Sequence, residues 1–228
     1  MKCSLWVSVF LFASLLFACS GQNHDHNGQS GGLNDKFLSQ DLDVSQWVER
    51  FEKEGREIFD YRHEIVEALD ISKGMIVADI GAGTGLFEPL FAKAVGDNGK
   101  VIAVDIAQGF LDRIRGMGLE NVETVLCDER STGLSDGSVD LMFVCDTYHH
   151  FSYPEDTLKS MKAALRPGGR LVVVEFHRIE GESSDWIMKH VRADEATFTR
   201  EIEAAGFEVA GRHELLEENY IIEFSIRH

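Results

Sequence analysis

A glycine-rich junction constrains this chain more than any other feature. Asp79-Ile80-Gly81-Ala82-Gly83-Thr84-Gly85 joins a short apolar run, MIVADIG (75–81), to a helix-period segment, LFEPLFAKAV (86–95). Glycine is needed where a chain turns sharply and where backbone must approach a ligand with no Cβ between them. Strand-like and helix-like segments then alternate: KVIAVDI (100–106), FLDRIRGM (110–117), VETVLCD (122–128), VDLMFVCD (139–146), PEDTLKSMKAAL (154–165) and RLVVVEF (170–176). Short apolar strand runs of this kind suit parallel strands covered on both faces. The alternation predicts an α/β fold with a doubly wound, mainly parallel sheet. Pro167-Gly168-Gly169 is expected to end the helix before the last of these strands. Residues 194–205 predict a further helix stopped by Gly206, and FEVAGRHEL (207–215) and YIIEFSI (220–226) predict an antiparallel pair. Ahead of the sheet, apolar residues in 43–70 fit one amphipathic helix or a pair, with Gly55 at a bend.

The glycine spacing narrows what the junction can hold. A dinucleotide fingerprint starting at Gly81 needs glycine at 86, where Leu86 stands; starting at Gly83 it needs glycine at 88, where Glu88 stands. A carboxylate at the mouth of the helix is also a poor neighbour for pyrophosphate. Asp105 ends the second strand, where an acid can accept both hydroxyls of a ribose. Ends of successive parallel strands meet at one sheet edge, so Asp79, Asp105, Asp128 and Asp146 are expected around one crevice. Several carboxylates there suit a ligand carrying positive charge.

VADIGAGTGLF (77–87), VIAVDI (101–106), DGSVDLMFV (136–144) and LRPGGRLVVVEF (165–176) together resemble the class I S-adenosylmethionine-dependent methyltransferases. The likeness is strongest to the small-molecule branch that includes the ubiquinone and menaquinone biosynthesis enzymes. The resemblance covers about residues 43–228 and implies a Rossmann-like, seven-stranded sheet under an N-terminal helical cap. It further implies strand order 3-2-1-4 on one side and S-adenosyl-L-methionine as cofactor. It implies that Gly81, Gly83 and Gly85 lie against the methionine part of that cofactor, with Asp79 and Ile106 beside it. Asp105 would hold the ribose hydroxyls, Asp128 would receive the adenine amino group, and Cys145 to His150 would line the methyl-transfer site.

Methyl transfer from a sulfonium is an in-line displacement, so the protein chiefly supplies alignment and exclusion of water. If the acceptor carries a proton, His149 or His150 is placed to take it, and Tyr148 to orient the acceptor. Either histidine could instead simply cap or pack under the loop. His190 and Arg192 precede the 194–205 helix, where an insertion covers the acceptor in similar methyltransferases. Arg192 could grip a carboxylate or phosphate, or form a surface pair with Asp194 or Glu195. Arg56 and Arg62 could reach the cofactor carboxylate; pairing with nearby glutamates is the simpler expectation. No zinc spacing is present, and no metal is expected; His24 and His26 would at most catch one adventitiously.

The chain carries a formal net charge of −17, which repels phosphate backbones and excludes nucleic acid as a natural partner. Residues 1–19 read as an export signal: Lys2, then a 14-residue apolar run from Leu5 to Ala18, too short for a span. Leu16-Phe17-Ala18-Cys19 resembles a lipoprotein box, with Phe17 its unusual member; Cys19 would then be lipidated. Residues 20–36 read as a flexible linker, and 37–228 as the methyltransferase domain. The expected location is outside the cytoplasm, lipid-anchored on the periplasmic side of a bacterial membrane. Two functions fit: methyl transfer to a small-molecule or lipidic acceptor, or an exported protein that holds an adenosyl or nucleoside ligand without turnover. Replacing Cys19 by serine is expected to abolish metabolic labelling with fatty acid and to leave an unprocessed chain; equal labelling of variant and wild type would refute the lipid anchor.

Overall fold

The computed structural model describes residues 32–39 and 41–227. The expected export signal, Cys19 and most of the linker lie outside the described residues.

Four short helices come first: α1 (Asp35–Leu38), α2 (Val44–Phe51), α3 (Glu57–Asp60) and α4 (Arg62–Ala68). Asp43 caps α2 by accepting from the Ser45 N–H at 3.1 Å. Gly55, at φ +86°, makes the turn between α2 and α3. The expected one or two helices are therefore three over residues 43–70. The linker boundary also falls earlier than expected: Asn34 is buried and α1 begins at Asp35.

The remaining elements alternate: β1 (Ile76–Ile80), α5 (Glu88–Val95), β2 (Lys100–Asp105), α6 (Gln108–Gly116), β3 (Val122–Leu126), β4 (Val139–Cys145), α7 (Pro154–Ala164) and β5 (Leu165–Phe176). A 3-10 turn, Tyr148–His150, follows β4. The chain closes with α8 (Asp185–His190), α9 (Glu195–Ala204), β6 (Phe207–His213) and β7 (Asn219–Ile226). Pro167-Gly168-Gly169 lies inside β5, beside a register shift against β4, rather than ending α7, which stops at Ala164. The helix α8 has no counterpart in the expected elements. It is short and starts on a Ser184 side-chain cap, so its apolar period spans barely two turns.

The seven strands form one sheet in the order β3-β2-β1-β4-β5-β7-β6. The first five are parallel, and β7 runs antiparallel to both β5 and β6. This is the Rossmann-like arrangement expected. Successive strand residues face opposite sides, so Ala78, Met142 and Val173 pack with α7 and α9, while Val77, Leu141, Phe143 and Val172 pack with α4 and α5. Phe143 stands edge-on to Phe87 and Phe91, at 4.9 and 5.2 Å between ring centroids. No described helix is long and apolar enough to cross a membrane.

Strand order also separates the two cysteines of the domain. Cys127 follows β3 and Cys145 ends β4, with β2 and β1 between them. Three strand spacings put them on the order of 14 Å apart, against the roughly 7 Å limit for a disulfide. Burial raises the Cys127 thiol to about 12 and lifts Cys145 well above its ordinary range, which slows oxidation. Thiol titration of the denatured, unreduced protein is expected to find both free. A disulfide between them would be incompatible with this strand order.

Candidate functional site

The chain reverses at the carboxyl edge of β1 and β4, and a crevice opens there with about 1100 Å³ of empty space, part of it open to solvent. A parallel sheet whose order reverses leaves such a gap because neighbouring connections leave on opposite faces. The crevice floor is the glycine loop. Gly81 (φ +78°) and Gly83 (φ +56°) both occupy the left-handed region. A Cβ at Gly81 would come within 2.2 Å of the Thr147 side chain, so only glycine lets the two loops meet. Gly85 serves a different purpose. It does not line the crevice, and its missing Cβ makes room for Met117 and Ile114, at 2.6 and 2.8 Å, so that α6 can close on the loop.

Asp105 ties the floor together. Its two oxygens accept from the Gly83 N–H at 2.8 Å and the Ala107 N–H at 2.7 Å. Ile106 follows it along the wall. Asp128 accepts from the Arg130 and Ser131 N–H groups through one oxygen, at 2.7 and 2.8 Å. Among the described residues its other oxygen has no partner. Asp146 takes a left-handed backbone (φ +47°), tolerable for an aspartate. Its carboxylate receives the Arg56 guanidinium at 2.6 Å and the Asn219 amide at 2.6 Å. Arg56 therefore pairs with an acid of the crevice rather than with neighbouring glutamates. Arg62 turns to the Phe59 carbonyl and lies over the Phe59 ring at 4.1 Å.

The four expected carboxylates do converge on the crevice, and Glu88 joins them from beneath. Its side chain is fully buried at the start of α5, and neither oxygen has a hydrogen-bond partner. Burial, with repulsion from Asp105, pushes Asp79 up to about 8. Burial, then repulsion from Asp79, lifts Glu88 well above the usual carboxylate range. Asp105 rises to about 6 through burial, held back by the Ala107 and Gly83 N–H groups. Asp146 also rises to about 6 through burial, against the pull of Arg56. The buried hydroxyl of Thr84, on the same loop, has no partner either.

The residues expected to do chemistry divide sharply. Cys145 and His150 line the crevice, with Thr147 and Phe151; Tyr148, His149, His190 and Arg192 do not. The Tyr148 hydroxyl donates to Glu201 at 3.0 Å, and burial raises its pKa. The Nδ1 of His149 is bonded to the buried carboxylate of Glu175 at 2.7 Å. Burial, helped by His149, His190 and Lys36, lowers His150 to about 2, so it takes a proton poorly. Burial, with His149 adding to it, lowers His190 to about 4. Arg192 is bidentate with Glu201, at 2.8 and 2.6 Å, rather than with Asp194 or Glu195, and covers the Phe198 ring at 4.5 Å. Its fork is thus already filled.

The N-terminal segment supplies crevice residues that sequence spacing does not reveal. Asn34 donates to Glu129 at 2.8 Å and to the His150 carbonyl at 3.1 Å, laying α1 across the opening. Phe37 packs on Trp47 at 4.9 Å and edge-on to His150 at 5.5 Å, and Trp47 packs on Phe51 at 5.2 Å. An apolar residue just before a polar one in a glycine-rich stretch was the only local signal.

Three comparisons bear on this crevice. A family described as a methyltransferase domain matches residues 78–173. The ubiquinone/menaquinone biosynthesis C-methyltransferase UbiE of Pseudomonas fluorescens is 34% identical over 118 residues, which is 50% of this chain and 46% of that protein. The chain thus spans about half the length of that curated relative. A SAM-dependent methyltransferase from Aquifex aeolicus superposes with a TM-score of 0.71 at 26% identity, over 81% of this chain and 98% of that one. A chain from the complex of the Haloferax volcanii Trm112 methyltransferase activator with a methyltransferase shares the fold, with a TM-score of 0.70 at 16% identity over 86% and 98% of the two chains. These likenesses support a class I S-adenosylmethionine-dependent methyltransferase and indicate S-adenosyl-L-methionine as the cofactor.

The buried carboxylates make stability pH-dependent. The ordinary value of Asp79 is 3.8 and its folded value about 8. A raised folded pKa stabilises fully below the unfolded value, and that contribution is lost as pH climbs through the folded one. The melting temperature of the ligand-free protein is therefore expected to fall progressively between about pH 4 and about pH 8 and to level off above, and Asp79→Asn should flatten the fall. An equally steep fall in the variant would contradict the buried proton.

Proposed function

We propose that this chain transfers the methyl group of S-adenosyl-L-methionine to a small-molecule or lipidic acceptor. The observation that carries the reading is the Asp105 carboxylate, which bridges the glycine loop and the start of α6 at the crevice floor. Each of its oxygens accepts one backbone N–H there and has room for a second donor, which suits the two hydroxyls of a ribose. The unused oxygen of Asp128 suits the adenine amino group, with Ile106 packing between. Gly81, Gly83 and Asp79 take the methionine part. Buried acids that resist ionisation when alone ionise readily beside a cation, which fits a ligand bearing an ammonium and a sulfonium. The unpartnered Thr84 hydroxyl offers one more polar contact.

When bound, the cofactor supplies an already activated methyl group. The chain's own residues align and enclose it. Phe37, Phe51 and Phe151 keep water from the crevice, and Arg56 holds Asp146 in place. Burial makes His150, the one histidine among the described residues that lines the crevice, a poor proton acceptor. The aromatic walls favour an apolar acceptor. Export and a lipid anchor at Cys19, on the periplasmic side of the membrane, would bring such an acceptor within reach.

Calorimetry with S-adenosylmethionine and NAD is the direct test: the first is expected to bind and the second not. Asp105→Ala should weaken binding by about 1.5–3 kcal/mol, the worth of hydrogen bonds to a charged acceptor. Normal binding by that variant would overturn the assignment. Binding without transfer of labelled methyl into either a membrane lipid extract or a small-molecule cell extract would favour a holding protein over an enzyme.

A further inference from the structure

Beside the crevice, three imidazoles meet. His149 and His150 are neighbours on the 3-10 turn after β4, and His190 is the last residue of α8. Their ring centroids are 4.3, 4.9 and 5.1 Å apart. One nitrogen from each ring lies within 4.8 Å of the other two. The Nδ1 of His149 is committed to Glu175, so the atom it offers is Nε2, which is buried and without a hydrogen-bond partner. The Nδ1 of His150 is likewise buried and unpartnered. A buried polar atom left unpaired costs stability, so a fold that gathers two of them against a third imidazole is built to hold something there.

The donor set says what. Three neutral imidazole nitrogens, one of them backed by a buried carboxylate, match the ligands of a divalent transition metal with an open fourth position. The Glu175 carboxylate plays the part of the group that fixes ring orientation and strengthens the nitrogen as a donor. It also accepts the His149 and Phe176 backbone N–H groups, at 3.1 and 2.8 Å, which locks its own rotamer. An apolar shell surrounds the rings: Phe37 edge-on to His150, Phe176 at 6.1 Å from His149, and Trp186 stacked on His190 at 4.6 Å. Two cations flank that shell, Lys36 over Phe37 and Arg50 over Trp186, and the Glu175 carboxylate opposes their charge.

We propose that His149, His150 and His190 bind one divalent transition-metal ion of the zinc class, with Glu175 as the carboxylate that positions His149. Tetrahedral zinc at about 2.05 Å sets its nitrogens about 3.3 Å apart. The triangle must therefore close by up to about 1.5 Å. The partly exposed His190, at the end of a six-residue helix, can supply that movement. Because His150 lines the crevice, the ion borders the place where an acceptor would sit. Its open position would take an oxygen, nitrogen or sulfur ligand. Local spacing gives no hint of this site: 40 residues separate His150 from His190. The proposal is independent of methyl transfer and stands or falls separately from it.

The test uses the untagged full chain in a background carrying His24→Ala and His26→Ala, which removes the other histidine pair. Equilibrium dialysis against Zn²⁺, read by elemental analysis, is expected to give one ion per chain. Co²⁺ in its place should show the intense visible absorption of a four- or five-coordinate site. Three changes in affinity follow. His190→Ala, at a partly exposed helix end, should fold and lose at least about tenfold in Zn²⁺ affinity; Glu175→Gln should lose about 10- to 100-fold; and His150→Ala should abolish the Co²⁺ spectrum. Circular dichroism of each variant confirms that it folds, and binding of S-adenosylmethionine to His190→Ala gives a readout separate from the metal. No retained metal, or retention at unchanged affinity in His190→Ala, would overturn the site and leave the three rings packed around solvent.

Discussion

The carboxylate of Asp105 is the tie on which the crevice depends. It stands at the end of β2 and receives one N–H from the glycine loop after β1 and one from the start of α6. The connections that follow two adjacent strands are thereby held at a fixed separation. A charged acceptor shared by two backbone donors is stronger than a neutral one, yet burial makes its charge costly and raises its pKa to about 6. The group is thus both the brace of the empty crevice and the part most responsive to a ligand that could share its charge.

The same tension runs through the neighbouring acids. Asp79 and Glu88 lie buried on adjoining elements with little to neutralise them. Such a pair lowers the stability of the empty fold at neutral and higher pH, a common feature of sites whose geometry is kept for binding rather than for stability. Asp146 sits in the same acidic field but has Arg56 and Asn219 as partners. The polar end of the crevice is thus divided into a braced part near β4 and a protonated part near β1.

The opposite end is apolar and closes over from the N-terminal segment. Asn34 anchors α1 to the loop after β4, while Phe37, Trp47 and Phe51 stack along the opening. Arg113 adds a second clasp, donating to the Thr84 carbonyl at 2.9 Å and pairing with Glu52 at 3.2 Å. The helical cap is therefore fastened to the glycine loop as well as to the far rim.

The sequence by itself determined the alternation of strands and helices, the doubly wound sheet, the glycine loop and the convergence of four aspartates at one edge. These features are local: apolar runs, glycine spacing and strand-end acids are legible within a few residues, and the topology of parallel strands brings their ends together. Where local signals were weak the reading slipped. Pro167-Gly168-Gly169 looked like a helix stop and lies within β5 beside a register shift against β4, and Gly85 looked like a ligand-facing glycine and is a packing one. Only the tertiary structure decided which neighbours of the loop reach the crevice. Tyr148 and His149 turn inward to Glu201 and Glu175, while His150 lines the crevice with Cys145, Thr147 and Phe151. It also decided that Arg56 meets Asp146 across 90 residues, that Asn34 meets His150 across 116, and that His190 comes to the two histidines after β4. Such contacts depend on how helices dock on a sheet, and docking is set by the summed shape of the core, which no short window of sequence contains.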